Sequence, residues 1–189
     1  MNPTGKKMVV VVDCCVGCHA CEIACRQENN LTHETGSKWC RVITVKPRKA
    51  GDGLRADYLP TLCLHCDEPL CLQSCPAGAI TKRADGLVLV DAERCDGCRL
   101  CVCACPYGAM SFNEVTQAAG KCNFCLERSE SGIEPSCVQH CLGGALRYVG
   151  TEELDEITRG KHTAFFGRVC YVSSLWKLFS PSNNERRQK

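Results

Sequence analysis

The sequence predicts an α+β fold assembled from one small repeated unit: a short strand, a cysteine loop, a short helix and a glycine turn. Three observations predict it. Sixteen of the twenty cysteines fall into four groups of four: Cys15-Cys18-Cys21-Cys25, Cys63-Cys66-Cys71-Cys75, Cys95-Cys98-Cys101-Cys105 and Cys122-Cys125-Cys137-Cys141. The last cysteine of three groups opens a C-x-x-G-A-apolar segment, CPAGAI at Cys75, CPYGAM at Cys105 and CLGGAL at Cys141. Two groups follow an apolar run ending in Asp, MVVVVD before Cys14 and GLVLVD before Cys95, and both runs read as short strands.

Taken in order, the first unit has its strand over 8–12 but lacks the G-A turn after Cys25. The polar stretch RQENNLTHETGSKW, continuing through Lys49 with KPRKAGDG behind it, reads as an irregular excursion. The second and third units are regular, with a short helix expected around the fourth cysteine. Ser129 to Pro135 form a turn-rich loop inside the fourth group. Thr151 to Gly160 then read as one helix, with Thr151 as N-cap, acids in the first turn and Gly160 as the stop. Residues 161–179 gather Phe165, Phe166, Tyr171, Trp176 and Phe179, expected to pack within the chain or on a partner. The tail SPSNNERRQK is polar.

The spacing carries the chemistry. C-x2-C-x2-C wraps three thiolates around one compact core, as in bacterial ferredoxins, and groups one and three have the full C-x2-C-x2-C-x3-C run. Group two widens one gap to x4 and group four widens it to x11. Pro76 and Pro106 match the C-P ending of the ferredoxin run. In two-cluster ferredoxins the fourth cysteine ligates the other cluster, so pairing runs between groups. The expected architecture is therefore two fused bacterial-type 2[4Fe–4S] ferredoxin-like domains with short strands and helices, plus a C-terminal extension.

Composition agrees. Aromatic residues make up 6% of the 189 residues, lean for a hydrophobic core, and ligand–metal bonds can supply the missing cohesion. A formal net charge of +2 argues against a nucleic-acid footprint, which would need a concentrated basic face. Zinc ribbons have no use for the third and fourth cysteines of each run. Disulfides need an oxidising compartment, and the apolar run Met8 to Val12 is too short for a signal peptide. The N-terminal stretch ahead of Cys14 holds no twin-arginine pair, and no apolar stretch is long enough to span a membrane. The expectation is a cytoplasmic protein, with co-export beside a signal-bearing partner left open. No Walker loop, G-x-G-x-x-G or nucleophile–base arrangement occurs, so no catalytic site is expected.

Cys14, Cys40, Cys103 and Cys170 are left over and read as structural thiols, with Cys14 a lesser candidate for substitute ligand. His19, His65 and His140 adjoin cysteines of the groups and read as loop histidines, not ligands. Arg26, Arg94, Arg99 and Lys121 flank the cysteines as candidate tuning charges, any one of which could equally be an ordinary solvated charge.

With four quartets in this order and the C-P-x-G-A turns, residues 8–150 resemble the four-cluster ferredoxin-type iron–sulfur (beta) subunit of the dimethyl sulfoxide reductase family. The resemblance implies crossed pairing. Cys15, Cys18, Cys21 and Cys141 would hold one cluster, and Cys122, Cys125, Cys137 and Cys25 its neighbour. Cys63, Cys66, Cys71 and Cys105 would hold a third, and Cys95, Cys98, Cys101 and Cys75 a fourth, all [4Fe–4S]. It implies an outer domain of residues 1–58 with 112–150, an inner domain of 59–111 and an extension of 151–189. It also implies a role: relaying single electrons between a large molybdenum- or tungsten-pterin catalytic subunit and a quinone-linked membrane subunit or soluble carrier. A free-standing polyferredoxin and a zinc-bound structural module are the rival readings.

Overall fold

The computed structural model describes residues 5–31, 37–50 and 52–175. Residues 32–36 of the polar excursion, Trp176, Phe179 and the tail lie outside them. In chain order the elements are β1 (Lys7–Val11), a 3-10 turn (Val12–Cys14), α1 (Ala20–Glu28), β2 (Cys40–Ala50), β3 (Gly53–Leu62), α2 (Leu70–Gln73), β4 (Ile80–Lys82) and β5 (Val88–Val90). Then come α3 (Leu100–Ala104), β6 (Ser111–Asn113), β7 (Ala118–Gly120), α4 (Leu126–Glu130), α5 (Ser136–Gln139), β8 (Leu146–Val149), α6 (Thr151–Thr158), β9 (His162–Phe166) and β10 (Val169–Ser173). The fold is α+β.

β1 is the spine of a four-stranded sheet ordered β8-β1-β10-β9. It pairs antiparallel with β8 and parallel with β10, Met8 opposite Val169 and Val11 opposite Val172. A strand covered on both faces reads as an unbroken apolar run, and Val9 and Val10 are fully buried. Side chains alternate across the sheet. Met8 and Val10 face the cysteine-bearing core with Leu146, Val169 and Tyr171. Val9 and Val11 face the opposite layer, with Val149, Cys170, Val172 and Leu154 of α6. The C-terminal extension is thus woven into the sheet. Asp13 fastens it further by accepting from Ser173 Oγ at 2.5 Å and the Ser174 amide at 2.6 Å.

The structure differs from the sequence reading in four places. The stretch after Cys40 is a long hairpin, β2 on β3, rather than irregular chain. Its VITV run has the β-branched content of a strand. Pro47 falls at the register break between Val45 and Arg48, where a missing donor costs least. The short helices α2, α3 and α5 carry the third cysteine of their groups, Cys71, Cys101 and Cys137, and the fourth falls at or beyond the helix end. Gly150, not Thr151, caps α6, and Glu152 and Glu153 complement the dipole of its first turn. Finally, the expected boundary at 111/112 falls inside β6. Ala119 of its partner strand β7 packs with Ile80, Val88, Cys101 and Met110.

Candidate metal centres

Each C-x-x-C loop closes through a left-handed residue just before its second cysteine: Gly17 at φ 67°, His65 at 48°, Gly97 at 74° and Phe124 at 57°. That conformation folds the loop back on itself and turns successive amides inward. Gly17 also lies where a Cβ would come within 2.5 Å of the Tyr58 ring. His65 and Phe124 adopt a conformation unfavourable to side chains and are held there by each other. Both are 1% exposed, and their ring centroids lie 4.2 Å apart. Phe124 meets Tyr148 edge-on at 5.6 Å.

The C-x-x-G-A repeat has a geometric reason. Gly78, Gly108 and Gly144 take φ of 59°, 58° and 62°. Each turns the chain so that its amide bonds to the carbonyl of the cysteine three residues back. The following amide then reaches the sulfur in two of the three units. Ala109 N donates to Cys105 Sγ at 3.4 Å, and Ala145 N to Cys141 Sγ at 3.2 Å. Other amides do likewise, from strands and loops: Leu146 to Cys141, Ala119 to Cys95, His65 to Cys63 and Phe124 to Cys122, at 3.4–3.5 Å. Such donors favour thiolate over thiol and tune a bound centre.

The sixteen cysteines gather in mixed sets. One cavity is lined by Cys15, Cys18, Cys21 and Cys141, with Val42, Pro60 and Leu146 in its wall. A second is lined by Cys63, Cys66, Cys71 and Cys105, with His65, Met110 and Lys121. Burial drives the Cys137 thiol well above its usual range, and Cys122, Cys25 and Cys125 push it further. Burial, then Cys95 and Cys75, raise the Cys101 thiol to about 11. Cys98, exposed at the rim, also lies within electrostatic reach of Cys75. Burial lifts Cys25 to about 12 and Cys122 well above its usual range. Cys25, Cys101, Cys122 and Cys137, so raised, stay protonated as bare thiols at neutral pH, so a metal must displace their protons to bind.

This donor set fits an iron–sulfur core. Soft sulfur ligands surround the cavities, amides point at several of the sulfurs, and Cys21, Cys25, Cys63, Cys101, Cys122 and Cys137 are buried away from water. Among the described residues no three His, Cys, Asp or Glu side chains converge as they would on a single ion; the thiols ring a cavity instead.

The other flagged residues separate by position. Cys14 and Cys103 are exposed, although Cys14 touches the first cavity. Cys170 is fully buried in β10, and burial pushes its thiol up to about 11. Cys40 is more than filler. Its thiol donates to Cys21, lowering Cys21 and raising itself, and it also lies near Cys25 and Cys137. His19 sits 3.0 Å from Glu22, and His140 Nδ1 lies 2.9 Å from the Ser136 carbonyl. His65 Nδ1 accepts from Val88 N at 2.9 Å. Burial, then the Lys121 and Arg168 charges, keep that ring well below the usual imidazole range, hence neutral. Arg26 donates to the Leu31 carbonyl at 3.1 Å. Arg94 lies beside Gly78. Arg99 pairs with Glu114 at 2.7 Å and lies 3.8 Å over the Phe112 ring. Only Lys121 of these charges is buried, at 4% exposure.

A family profile described as "4Fe-4S dicluster domain" matches residues 54–151. The B component of the anaerobic dimethyl sulfoxide reductase of Escherichia coli K12 is 39% identical over 153 residues, covering 78% of this chain and 73% of that one. The chain belongs to the iron–sulfur subunits of the dimethyl sulfoxide reductase type. The B component of the polysulfide reductase of Wolinella succinogenes is 40% identical over 136 residues, 71% of this chain and 70% of that one. The B component of the tetrathionate reductase of Salmonella typhimurium is 41% identical over 143 residues, 76% of this chain, which spans only 56% of that protein. Membership makes the chain an electron-transfer subunit without a catalytic role of its own. No helix among the described residues is long and apolar enough to cross a membrane.

Proposed function

We propose that the chain holds four [4Fe–4S] clusters in crossed sets and relays single electrons through them. Centre 1 uses Cys15, Cys18, Cys21 and Cys141, and centre 2 uses Cys122, Cys125, Cys137 and Cys25. Centre 3 uses Cys63, Cys66, Cys71 and Cys105, and centre 4 uses Cys95, Cys98, Cys101 and Cys75. The observation that carries this is the composition of the two cavities. Each is lined by three cysteines of one group and the last cysteine of another, with Cys14 also touching the first.

When bound, each cluster supplies one-electron redox chemistry without bond making. The chain's own residues hold it, keep water from it and donate hydrogen bonds to its thiolates. The order of the relay is supported by thiols of successive sets within electrostatic reach: Cys21 with Cys137, Cys63 with Cys122, and Cys71 with Cys101. The two ends surface at Cys18 and Cys98. Exposed apolar residues flank both, Val16 and Leu142 at one and Leu100 at the other. Those ends suit docking to two partners, a molybdenum- or tungsten-pterin catalytic subunit and a quinone-linked membrane subunit or soluble carrier.

In domain terms centres 1 and 2 form an outer ferredoxin-like unit and centres 3 and 4 an inner one, the inner running on through Gly120. Loading sixteen reduced thiols suits a reducing compartment, so assembly in the cytoplasm is proposed.

Affinity purification from the native host under anaerobic conditions tests the partner. The expected result is co-purification with a large pterin-containing molybdenum or tungsten subunit, whose oxidised substrate reoxidises the reduced clusters. A stable monomer that reduces several unrelated enzymes would replace this reading with a free polyferredoxin.

A further inference from the structure

We propose that Lys121 is the fixed charge that raises the reduction potential of centre 3, an inference that rests on the cluster assignment above. Lys121 lies in the wall of the cavity ringed by Cys63, Cys66, Cys71 and Cys105, one residue before Cys122 of centre 2. It is 4% exposed. Its ammonium donates to the Val88 carbonyl and, at 3.2 Å, to the Cys122 carbonyl. No carboxylate among the described residues lies within ion-pair distance of it.

An ammonium taken out of water without a counter-charge is costly, and two carbonyls answer only part of that cost. A core held by four thiolates supplies the rest, because it is net negative and becomes more so on reduction. The cation therefore stabilises the reduced form more than the oxidised one and shifts the potential upward. Its reach is visible on the bare thiols. Burial raises Cys71 and Cys122, and the Lys121 charge opposes both shifts.

The position is fixed. Val88, which accepts from Lys121, donates its own amide to His65 Nδ1, and the His65 ring rests on Phe124. Lys121, β5, His65 and Phe124 make one polar clamp between centres 2 and 3. Arg99, beside centre 4, contrasts with it: its charge is half exposed and neutralised by Glu114, so solvent and salt screen it. Lys121 is a positioning charge rather than a catalytic residue.

The test is an EPR-monitored redox titration of the anaerobically purified protein with its co-purifying subunits, comparing wild type, Lys121→Met and Lys121→Arg. The centre 3 signal is identified as the one lost in Cys66→Ser. In Lys121→Met at wild-type iron and sulfide content, centre 3 should lose at least tenfold in its reduction equilibrium constant, about 59 mV for a one-electron couple. Centre 2 should shift less and centres 1 and 4 stay in place. Lys121→Arg should keep the centre 3 midpoint near wild type. Four unchanged midpoints, or one uniform shift of all four, would overturn the proposal. If Lys121→Met fails to load iron, Lys121→Gln against Lys121→Arg gives the same comparison with the same two outcomes. A wild-type protein without four EPR-active centres would overturn the cluster assignment itself, a failure distinct from that of Lys121.

Discussion

Replacing Cys25 with Ser should damage centre 2, built on Cys122, Cys125 and Cys137, and leave centre 1 on Cys15, Cys18 and Cys21 intact. The expectation arises in α1, which carries both Cys21 and Cys25. Four residues along a helix advance about 6 Å, one turn. Two cysteines in one sequence group are thereby offered to two different centres. Burial first, then Cys125, shapes the Cys25 thiol, and Cys25 is the leading charge neighbour of the buried Cys122. Asn29 pins the helix end, donating to the Cys25 carbonyl at 2.9 Å. The serine variant should lose between about one and four of sixteen irons, according to whether a three-iron remnant survives. Its EPR spectrum should lose one reduced signal while the signal assigned to centre 1 persists. Loss of the centre 1 signal alone would contradict the crossed pairing.

The second large effect lies far in sequence from the sixteen cysteines of the four groups. Gly167→Ala should destabilise the protein by roughly 3–5 kcal/mol and loosen centre 3 first. Gly167 turns β9 into β10 at φ 51°, where a side chain is strained. An added Cβ would also meet the Leu64 carbonyl at 2.6 Å and run into the His65 carbonyl. Those are backbone atoms of the loop between Cys63 and Cys66, and they cannot rotate away. The Leu64 carbonyl already accepts from the Arg168 amide at 2.8 Å, so the C-terminal hairpin clamps that loop directly. Gly160→Ala is the control. Gly160 has φ 71° but open space around its Cβ position, so only the conformational cost of about 1–2 kcal/mol applies. Thermal unfolding and the order of iron release to a chelator read both effects. Equal midpoints for the two variants would remove the clamp.

What was legible in the sequence was local. The cysteine spacings, the glycines of the G-A turns, the Val-rich run of β1 and the acids opening α6 each encode a neighbourhood of a few residues, and each is found where the pattern put it. What was illegible depends on partners distant in sequence. Parallel pairing of β10 with β1 joins residues about 160 apart, and nothing in the segment 162–173 names its neighbour. The β2–β3 hairpin was hidden by Pro47 and the charges around it, which imitate a loop. Gly17 and Gly97 take their left-handed turns as glycine readily does. His65 and Phe124 make the same turn with side chains that only mutual packing sustains. Cys40 looked like any spare thiol until the fold set it against Cys21. Lys121 looked like any flanking charge until β5 closed over it.

The central claim, four cubanes on sixteen thiolates, is tested most directly by counting iron and acid-labile sulfide per chain in anaerobically purified protein. About sixteen of each are expected, with the brown colour and broad visible absorbance of iron–sulfur protein. About two to four zincs per chain, no labile sulfide and no visible absorbance would contradict it.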